Sequence, residues 1–404
     1  MIEISIPSTP MLDNRTYNES KDDDFTNESQ LQYFRDILQI YKKHIPVNEM
    51  DVPMSGGIQH LMNKTCVREQ PRARQPGQSE TESHINNMPD SVLLHIFSYL
   101  DVENLCRMTE VCHRWLNVSS DNILWQQRLE SDVKSWSIIG HTTNPTMYKE
   151  CQSDWSNKEI YLRCSPQVNN LKIRENLNFH YISSLLRSFL PKKVPKVAMF
   201  GPGLESSTSG LVRQILWDTS GVFTRIGMFP GQFDGVGGGF SLKLKSGCML
   251  HLSTLYTSTK REREQVFDGN RLRNNRLIAV QQAEEGAIED IEQYELRQSV
   301  KDLCRTLDAF IFVVDATESI QNLELMRREL FALVNERWAA PSIPVLVLSC
   351  IQETSTQRVP CIDVVTALNM TKLNRPWQVH DVQLSCQNKI GSSIQWLVEQ
   401  AQRV

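Results

Sequence analysis

The sequence predicts a multidomain chain in which short all-α units precede an α/β domain built on a mixed sheet. Three observations lead there. A length of 404 residues exceeds what one hydrophobic core organises, about 250 to 300 residues. Between Ile85 and Leu129 apolar residues recur at helical spacing in short runs with no β-rich segment. After Pro195 the pattern changes to β-rich runs alternating with helical segments, as a sheet covered by helices on both faces requires.

Composition narrows the classes of partner. The formal net charge is −4, and Lys and Arg are spread along the chain, so no basic stripe is offered to a phosphate backbone and nucleic acid is not an expected partner. The opening segment MIEISIPSTPMLDNRTYNESKDDDFTNESQ has no basic start leading into an apolar run, and nowhere does an apolar run reach about 18 residues. No membrane partner is expected, and the chain reads as cytoplasmic, with the nucleus also open to it. Ten cysteines occur singly, among them Cys106, Cys112, Cys164, Cys304 and Cys350, as in a reduced compartment where cysteine serves as a small core residue. The neighbours Cys112 and His113 lack a partner pair at zinc spacing. Neither a metal nor another cofactor is expected.

Residues 1–84 form a mostly polar N-terminal region with an acidic run at Lys21 to Asp24 and the composition of a disordered tether. One amphipathic island interrupts it at about 30–45, where Leu31, Tyr33, Phe34, Ile37, Leu38, Ile40 and Tyr41 recur at near-helical spacing. A lone helix of this kind cannot cover its own apolar face. It docks either on its own chain or on a second copy, giving a homodimer.

Residues 85–130 read as three helices. The first follows Pro89 and carries Val92, Leu93, Ile96, Phe97 and Leu100; Asp101 caps a second with Leu105, Met108, Val111, Cys112 and Trp115. Asp121 caps a third with Ile123, Leu124, Trp125 and Leu129. So small a unit cannot shield such wide apolar stripes, and part of them must meet another surface. Residues 131–192 read as a helical linker anchored by Trp136, Met147, Trp155, Tyr161, Leu185, Leu186 and Phe189.

In residues 193–404 six strands are expected: Val197 to Phe200, Phe240 to Leu244, Met249 to Tyr256, Ala309 to Val314, Val345 to Leu348 and Val379 to Leu384. The second and third, separated by Lys245, Ser246 and Gly247, form a hairpin. Helical segments near Leu211, Ser299, Leu323, Val364 and Ile394 join the others as parallel crossovers. An antiparallel edge hairpin on an otherwise parallel six-stranded sheet is the connectivity of the small-GTPase fold. The charged interval Lys260 to Glu292 reads as a long mobile loop.

The run Met88-Pro89-Asp90-Ser91-Val92-Leu93-Leu94-His95-Ile96-Phe97-Ser98-Tyr99-Leu100-Asp101, with Val111-Cys112-His113-Arg114-Trp115 and Asp121-Asn122-Ile123-Leu124-Trp125, resembles an F-box, departing at Met88 where leucine is usual. The resemblance implies binding to the Skp adaptor and, through it, to a cullin scaffold and a RING subunit. It implies Pro89, Leu93, Ile96, Phe97, Leu100, Leu105, Val111, Trp115 and Trp125 as anchors. Further along, Ala198-Met199-Phe200-Gly201-Pro202-Gly203-Leu204-Glu205, Lys260-Arg261-Glu262-Arg263, Val345 to Ile351, Pro360-Cys361 and Ile394-x-Trp396 resemble the F-box only protein 4 family. That likeness implies an N-terminal self-association segment, a helical linker and an atypical small-GTPase-like domain that recruits protein substrates. The substrates associated with the family are a telomere-repeat-binding protein and a D-type cyclin.

A phosphate-cradling loop needs the form G-x-x-x-x-G-K-[ST], with glycines that free the backbone N–H groups and a lysine for the phosphate oxygens. Here Gly201 and Thr208 fit, but Ser206 replaces the second glycine, Ser207 replaces the lysine, and Glu205 adds negative charge. The guanine-reading Asn-Lys-x-Asp aligns with Cys350-Ile351-Gln352-Glu353, and Ser385-Cys386-Gln387 only echoes Ser-Ala-Lys. Asp234-Gly235-Val236-Gly237 spells D-x-x-G but precedes the hairpin. No guanine nucleotide is expected to bind.

Two surfaces then offer themselves to a substrate. Val359 to Leu368 is apolar almost all round, so Ile362, Val365 and Leu368 cannot all face inward together with Cys361 and Val364, and one set is left for a partner or for the linker; the family resemblance implies Cys361 and Val365 as the partner contacts. The alternating strand Phe240, Leu242, Leu244 suits a sheet margin that accepts an added strand. No catalytic residue is expected, because His180, His251 and His380 lie in no nucleophile motif. Thr9-Pro10 and Ser165-Pro166 are dipeptides that proline-directed kinases accept. The expected function is a non-catalytic substrate receptor of a ubiquitin ligase; a nucleotide-gated switch and an F-box scaffold outside a ligase are the alternatives.

Overall fold

The computed structural model describes residues 84–151, 153–168, 193–230, 238–257, 275–280, 294–352 and 357–403. The island around Ile37, Thr9-Pro10, His180, Leu185, Leu186, Phe189, the Asp234 to Gly237 motif, Glu353 and most of Lys260 to Glu292 lie outside the described residues.

Four helices, where three were expected, occupy the F-box: α1 (Asp90–Ser98), α2 (Val102–Met108), α3 (His113–Ser119) and α4 (Asn122–Asp132). Asp101 caps α2 by accepting from the Asn104 N–H at 2.7 Å, and Asp121 caps α4 by accepting from the Ile123 N–H at 2.8 Å. The expected second helix breaks at Thr109 to Cys112. The Thr109 hydroxyl donates back to the Cys106 carbonyl at 2.6 Å, and Cys112 is extended before α3.

The linker is not wholly helical. After α4 the chain makes a 3₁₀ turn, Val133–Ser135, and then a strand, β1 (Ile138–Gly140), before α5 (Pro145–Glu150) and α6 (Asn157–Cys164). Ser156 and Glu159 cap α6 reciprocally, each side chain taking the other's backbone N–H. Asn157 and Lys158 then fasten α6 to the F-box through Asn122 and the Ser120 hydroxyl.

The α/β domain runs β2 (Lys196–Phe200), α7 (Gly210–Leu216), β3 (Phe223–Phe229), β4 (Gly239–Leu244), β5 (Met249–Thr254), β6 (Ile278–Val280), β7 (Tyr294–Leu296), α8 (Gln298–Cys304), β8 (Ala309–Asp315), α9 (Ile320–Leu333), β9 (Val345–Ile351), α10 (Cys361–Ala367), β10 (Trp377–Gln383) and α11 (Gln387–Ala401). All six expected strands join one sheet, but that sheet has eight, in the order β1-β10-β9-β8-β2-β5-β4-β3. The two additions are antiparallel and form its margins: β1 from the linker pairs with β10, and β3 pairs with β4. The hairpin β4–β5 is antiparallel as expected, and the core strands β2, β8, β9 and β10 are parallel. Within the expected loop Lys260 to Glu292, Ile278–Val280 instead forms a two-stranded sheet with Tyr294–Leu296.

Strands β8 (AFIFVVD) and β9 (VLVLSCI) are buried at every position, because helices cover both faces and no polar alternation is tolerated. Helices α7 and α11 cover one face. On the other, α8, α9 and α10 continue without a break into the linker and the F-box as a single apolar cluster. Tyr161 of α6 sits edge-on between Trp125 and Trp136, with ring centroids 5.5 and 5.8 Å away. Its hydroxyl donates to Asp132 at 2.7 Å.

Candidate functional site

The F-box divides into an inward and an outward stripe. Leu93, Phe97, Leu105 and Trp125 are sealed in the chain's own core, and Leu100 and Trp115 are half-buried. Trp125 is fixed there by its indole N–H, which donates to the Ser119 carbonyl at 2.7 Å. Of the nine expected anchors, only Pro89, Ile96 and Val111 are exposed. The buried four therefore shape the unit and are corrected as direct partner contacts.

The outward surface is larger than those three residues. Val92, Ile96, Tyr99, Val111, Leu116 and Ile123 are six of the eleven exposed large apolar side chains among the described residues, within 32 consecutive positions. Tyr99 is 77% exposed and Ile123 is 59% exposed. Exposed apolar side chains so concentrated mark an interaction site. Spacing held the signal for the first three: Val92, Ile96 and Tyr99, four and three apart, run one residue out of phase with Leu93, Phe97 and Leu100.

The two substrate surfaces expected from the sequence are both corrected. Cys361 and Val365 are 2% and 1% exposed. Helix α10 is apolar all round because the linker covers the stripe that the sheet does not, packing the 133–135 turn and β1 against it. Burial correspondingly pushes the Cys361 thiol far above its usual range. Strand β4 is not a margin, since it lies between β3 and β5, with Leu242 and Leu244 buried and Phe240 partly so. The margin is β3, where Ile226 and Met228 are 52% and 73% exposed beside the exposed Trp217. Arg225 reaches over the Trp217 ring, 5.8 Å from its centroid. The seven residues of β3 contrast with the three of β1 at the opposite margin.

At the carboxyl ends of β2, β5, β8 and β9, where sheets of this kind hold ligands, the chain fills the space with its own groups. Gly201, at φ 117°, allows the loop to run against β8; a Cβ there would lie 2.5 Å from the Val313 carbonyl oxygen. Pro202 has no N–H to offer. The N–H groups of Leu204, Glu205 and Ser209 are spent on Gly201, Pro202 and Ser206 carbonyls at 2.9 to 3.1 Å. That of Thr208 goes to the Ser206 hydroxyl, and the buried Thr208 hydroxyl donates to the Gly203 carbonyl at 2.7 Å. Ser206 and Ser207 donate to Asp315, which also takes the Thr317 N–H at 2.9 Å and hydroxyl at 2.6 Å. Gln352, at the guanine-reading position, donates to the Ser207 carbonyl. Burial raises the Asp315 carboxyl, but the hydrogen bonds from Ser207, Thr317 and Ser206 outweigh it and hold the group below its usual range. A fixed anion there works against a polyphosphate.

Other sequence candidates resolve as structure. His380 is buried, its ring nitrogens each 2.7 Å from Ser393 Oγ and Gln378 Oε1, and His251 meets the Ser241 hydroxyl at 2.9 Å. Ser165 is fully buried at the end of α6, out of a kinase's reach in the folded chain. Among the described residues no group of acidic, histidine or cysteine side chains assembles a metal site, and no helix is long and apolar enough to cross a membrane.

An F-box-like family model matches residues 85–131, and the model of the ADP-ribosylation factor family matches residues 290–401. The second match begins beyond the 201–208 loop. Along 345 residues the chain is 27% identical to F-box only protein 4 of Bos taurus, spanning 83% of this chain and 88% of that protein. For F-box only protein 4 of Mus musculus the identity is 26%, over 83% of this chain and 89% of that protein. F-box/LRR-repeat protein 12 of Homo sapiens shares 54% identity over 39 residues, 10% of this chain and 12% of that protein. These similarities bear out the family resemblance carried by the motifs.

Proposed function

From an F-box joined to a GTPase-like α/β domain, in a chain similar to F-box only protein 4 along most of its length, we propose that the protein is a substrate receptor of a Skp–cullin–F-box ubiquitin ligase. The observation that carries this reading is the outward stripe of the F-box. Val92, Ile96, Tyr99, Val111, Leu116 and Ile123 remain exposed after the four F-box helices have packed on one another and α4 on the linker helix α6. A Skp adaptor buries that stripe, and the adaptor joins the chain to a cullin and a RING subunit. The work is done in the cytosol or nucleus.

The chain itself breaks and forms no bonds. Its contribution is geometric: a substrate held on one surface and an adaptor on another raise the effective concentration of a substrate lysine near a ubiquitin-charged enzyme. The outer margin β3 is the substrate surface of this proposal, taking the place that the sequence suggested for β4. A strand with a neighbour on one side only offers unpaired backbone groups for strand addition, and Ile226 and Met228 supply apolar contacts. A telomere-repeat-binding protein and a D-type cyclin are the first substrates to try.

Tagged chain purified from cells tests the assignment. Adaptor and cullin are expected to co-purify with the wild type and to be lost together with Ile96→Asp. Adaptor without cullin would place the protein outside a ligase, and neither partner would remove the reading.

A further inference from the structure

We propose that Glu205 is a resident carboxylate latch that holds the residues directly after β5, Leu255 to Thr257, in one position without any nucleotide. In a GTPase-like sheet the loops at the carboxyl ends of β2 and β5 are neighbours, because the two strands are paired in parallel, Val197 against Leu252 and Met199 against Thr254. A ligand phosphate between such loops would accept hydrogen bonds from both. Here the acceptor is part of the chain. Glu205 Oε1 takes the Thr257 N–H at 2.6 Å, and the Thr257 hydroxyl lies 2.9 and 2.7 Å from Oε1 and Oε2. Charge-assisted bonds of this kind are roughly twice as strong as neutral ones.

Thr257 is a node. It is 3% exposed, its carbonyl accepts the Arg276 N–H at 2.8 Å, and two residues earlier the Leu255 N–H donates to the Met199 carbonyl at 2.8 Å. The segment from Asn275 leads directly into β6, whose pairing with β7 sets the approach to α8. One carboxylate thus ties the loop after β2, the end of β5 and the small β6–β7 sheet. Glu205, a departure from the phosphate-loop pattern that adds repulsion toward nucleotide, supplies the contact that nucleotide would otherwise make. The inference rests on the reading of the α/β domain as a nucleotide-free receptor. Its consequence is that the ends of β2 and β5 keep this arrangement whatever the nucleotide supply, so capture of a partner does not wait on nucleotide.

Amide hydrogen exchange on the full chain tests the latch independently of any ligase activity. Glu205→Ala is expected to speed exchange at Thr257 and across 275–280 at least tenfold while β8 and β9 keep their protection. Thr257→Val, which removes only the hydroxyl donor, is expected to give a smaller change in the same segments and serves if the first variant fails to fold. Adding GTP with magnesium to the wild type is expected to change nothing there. Unchanged exchange at Thr257 in a folded Glu205→Ala variant, or protection that depends on GTP in the wild type, would overturn the proposal.

Discussion

Ile96 and Leu93 lie three positions apart on α1 and have opposite jobs. Leu93 is fully buried and Ile96 is 38% exposed. Leu93→Ala should therefore cost about 2 to 5 kcal/mol, whereas Ile96→Ala should stay within about 0.5 kcal/mol, measured by urea unfolding of the free chain. His380 carries a second prediction. Burial holds its imidazole down to about 3 in the folded chain, while the unfolded chain takes up that proton near 6.5. Between those values the unfolded state binds more protons, so stability falls as pH drops from about 6.5 toward 3. His380→Gln should flatten that slope by up to about 1.4 kcal/mol per pH unit, read from urea midpoints at several pH values. Residue identity was legible here, but direction was not. The sequence put Val92, Leu93, Ile96 and Phe97 on one broad face, and which of them point outward depended on α3 and α4 packing against the rest.

Among the elements, α10 and β3 show where pattern reading stops. Val359 to Leu368 is apolar all round in either of two situations, an exposed partner surface or burial on two sides. The second holds. Val365→Asp should accordingly unfold the sheet–linker contact and lower the melting temperature sharply, because an unpaired charge would be buried. Loss of substrate capture with an unchanged melting temperature would restore the partner surface. Strand β3 escaped notice because Phe223–Phe229 contains Gly227 and a register shift between Arg225 and Gly227. Strand β1, at three residues, is too short for any period to register. Without them β4 looked like a margin. The double variant Ile226→Lys/Met228→Lys should weaken substrate capture more than tenfold and leave adaptor binding and melting temperature unchanged; capture of normal strength would move the substrate surface off β3.

At the scale of the whole molecule, the F-box, linker and one sheet face share one apolar cluster, so the boundaries drawn from composition do not separate independent cores. The described part of the chain should unfold in one cooperative transition by calorimetry, and an excised 85–131 segment should not fold alone; two well-resolved transitions would contradict the shared core. The sequence made each domain recognisable through its motifs and its strand pattern. It could not show that a linker strand joins the sheet, since three residues become a strand only when β10 offers the partner. The account as a whole rests on the stripe that this shared core leaves uncovered. The most direct test is a titration of the purified full chain with a purified Skp adaptor, comparing wild type with Ile96→Asp/Val111→Asp. The account predicts a one-to-one complex for the wild type and an affinity lowered at least a hundredfold in a double variant whose melting temperature is unchanged. A wild-type chain with no affinity for the adaptor, or a double variant that binds as tightly, would contradict it.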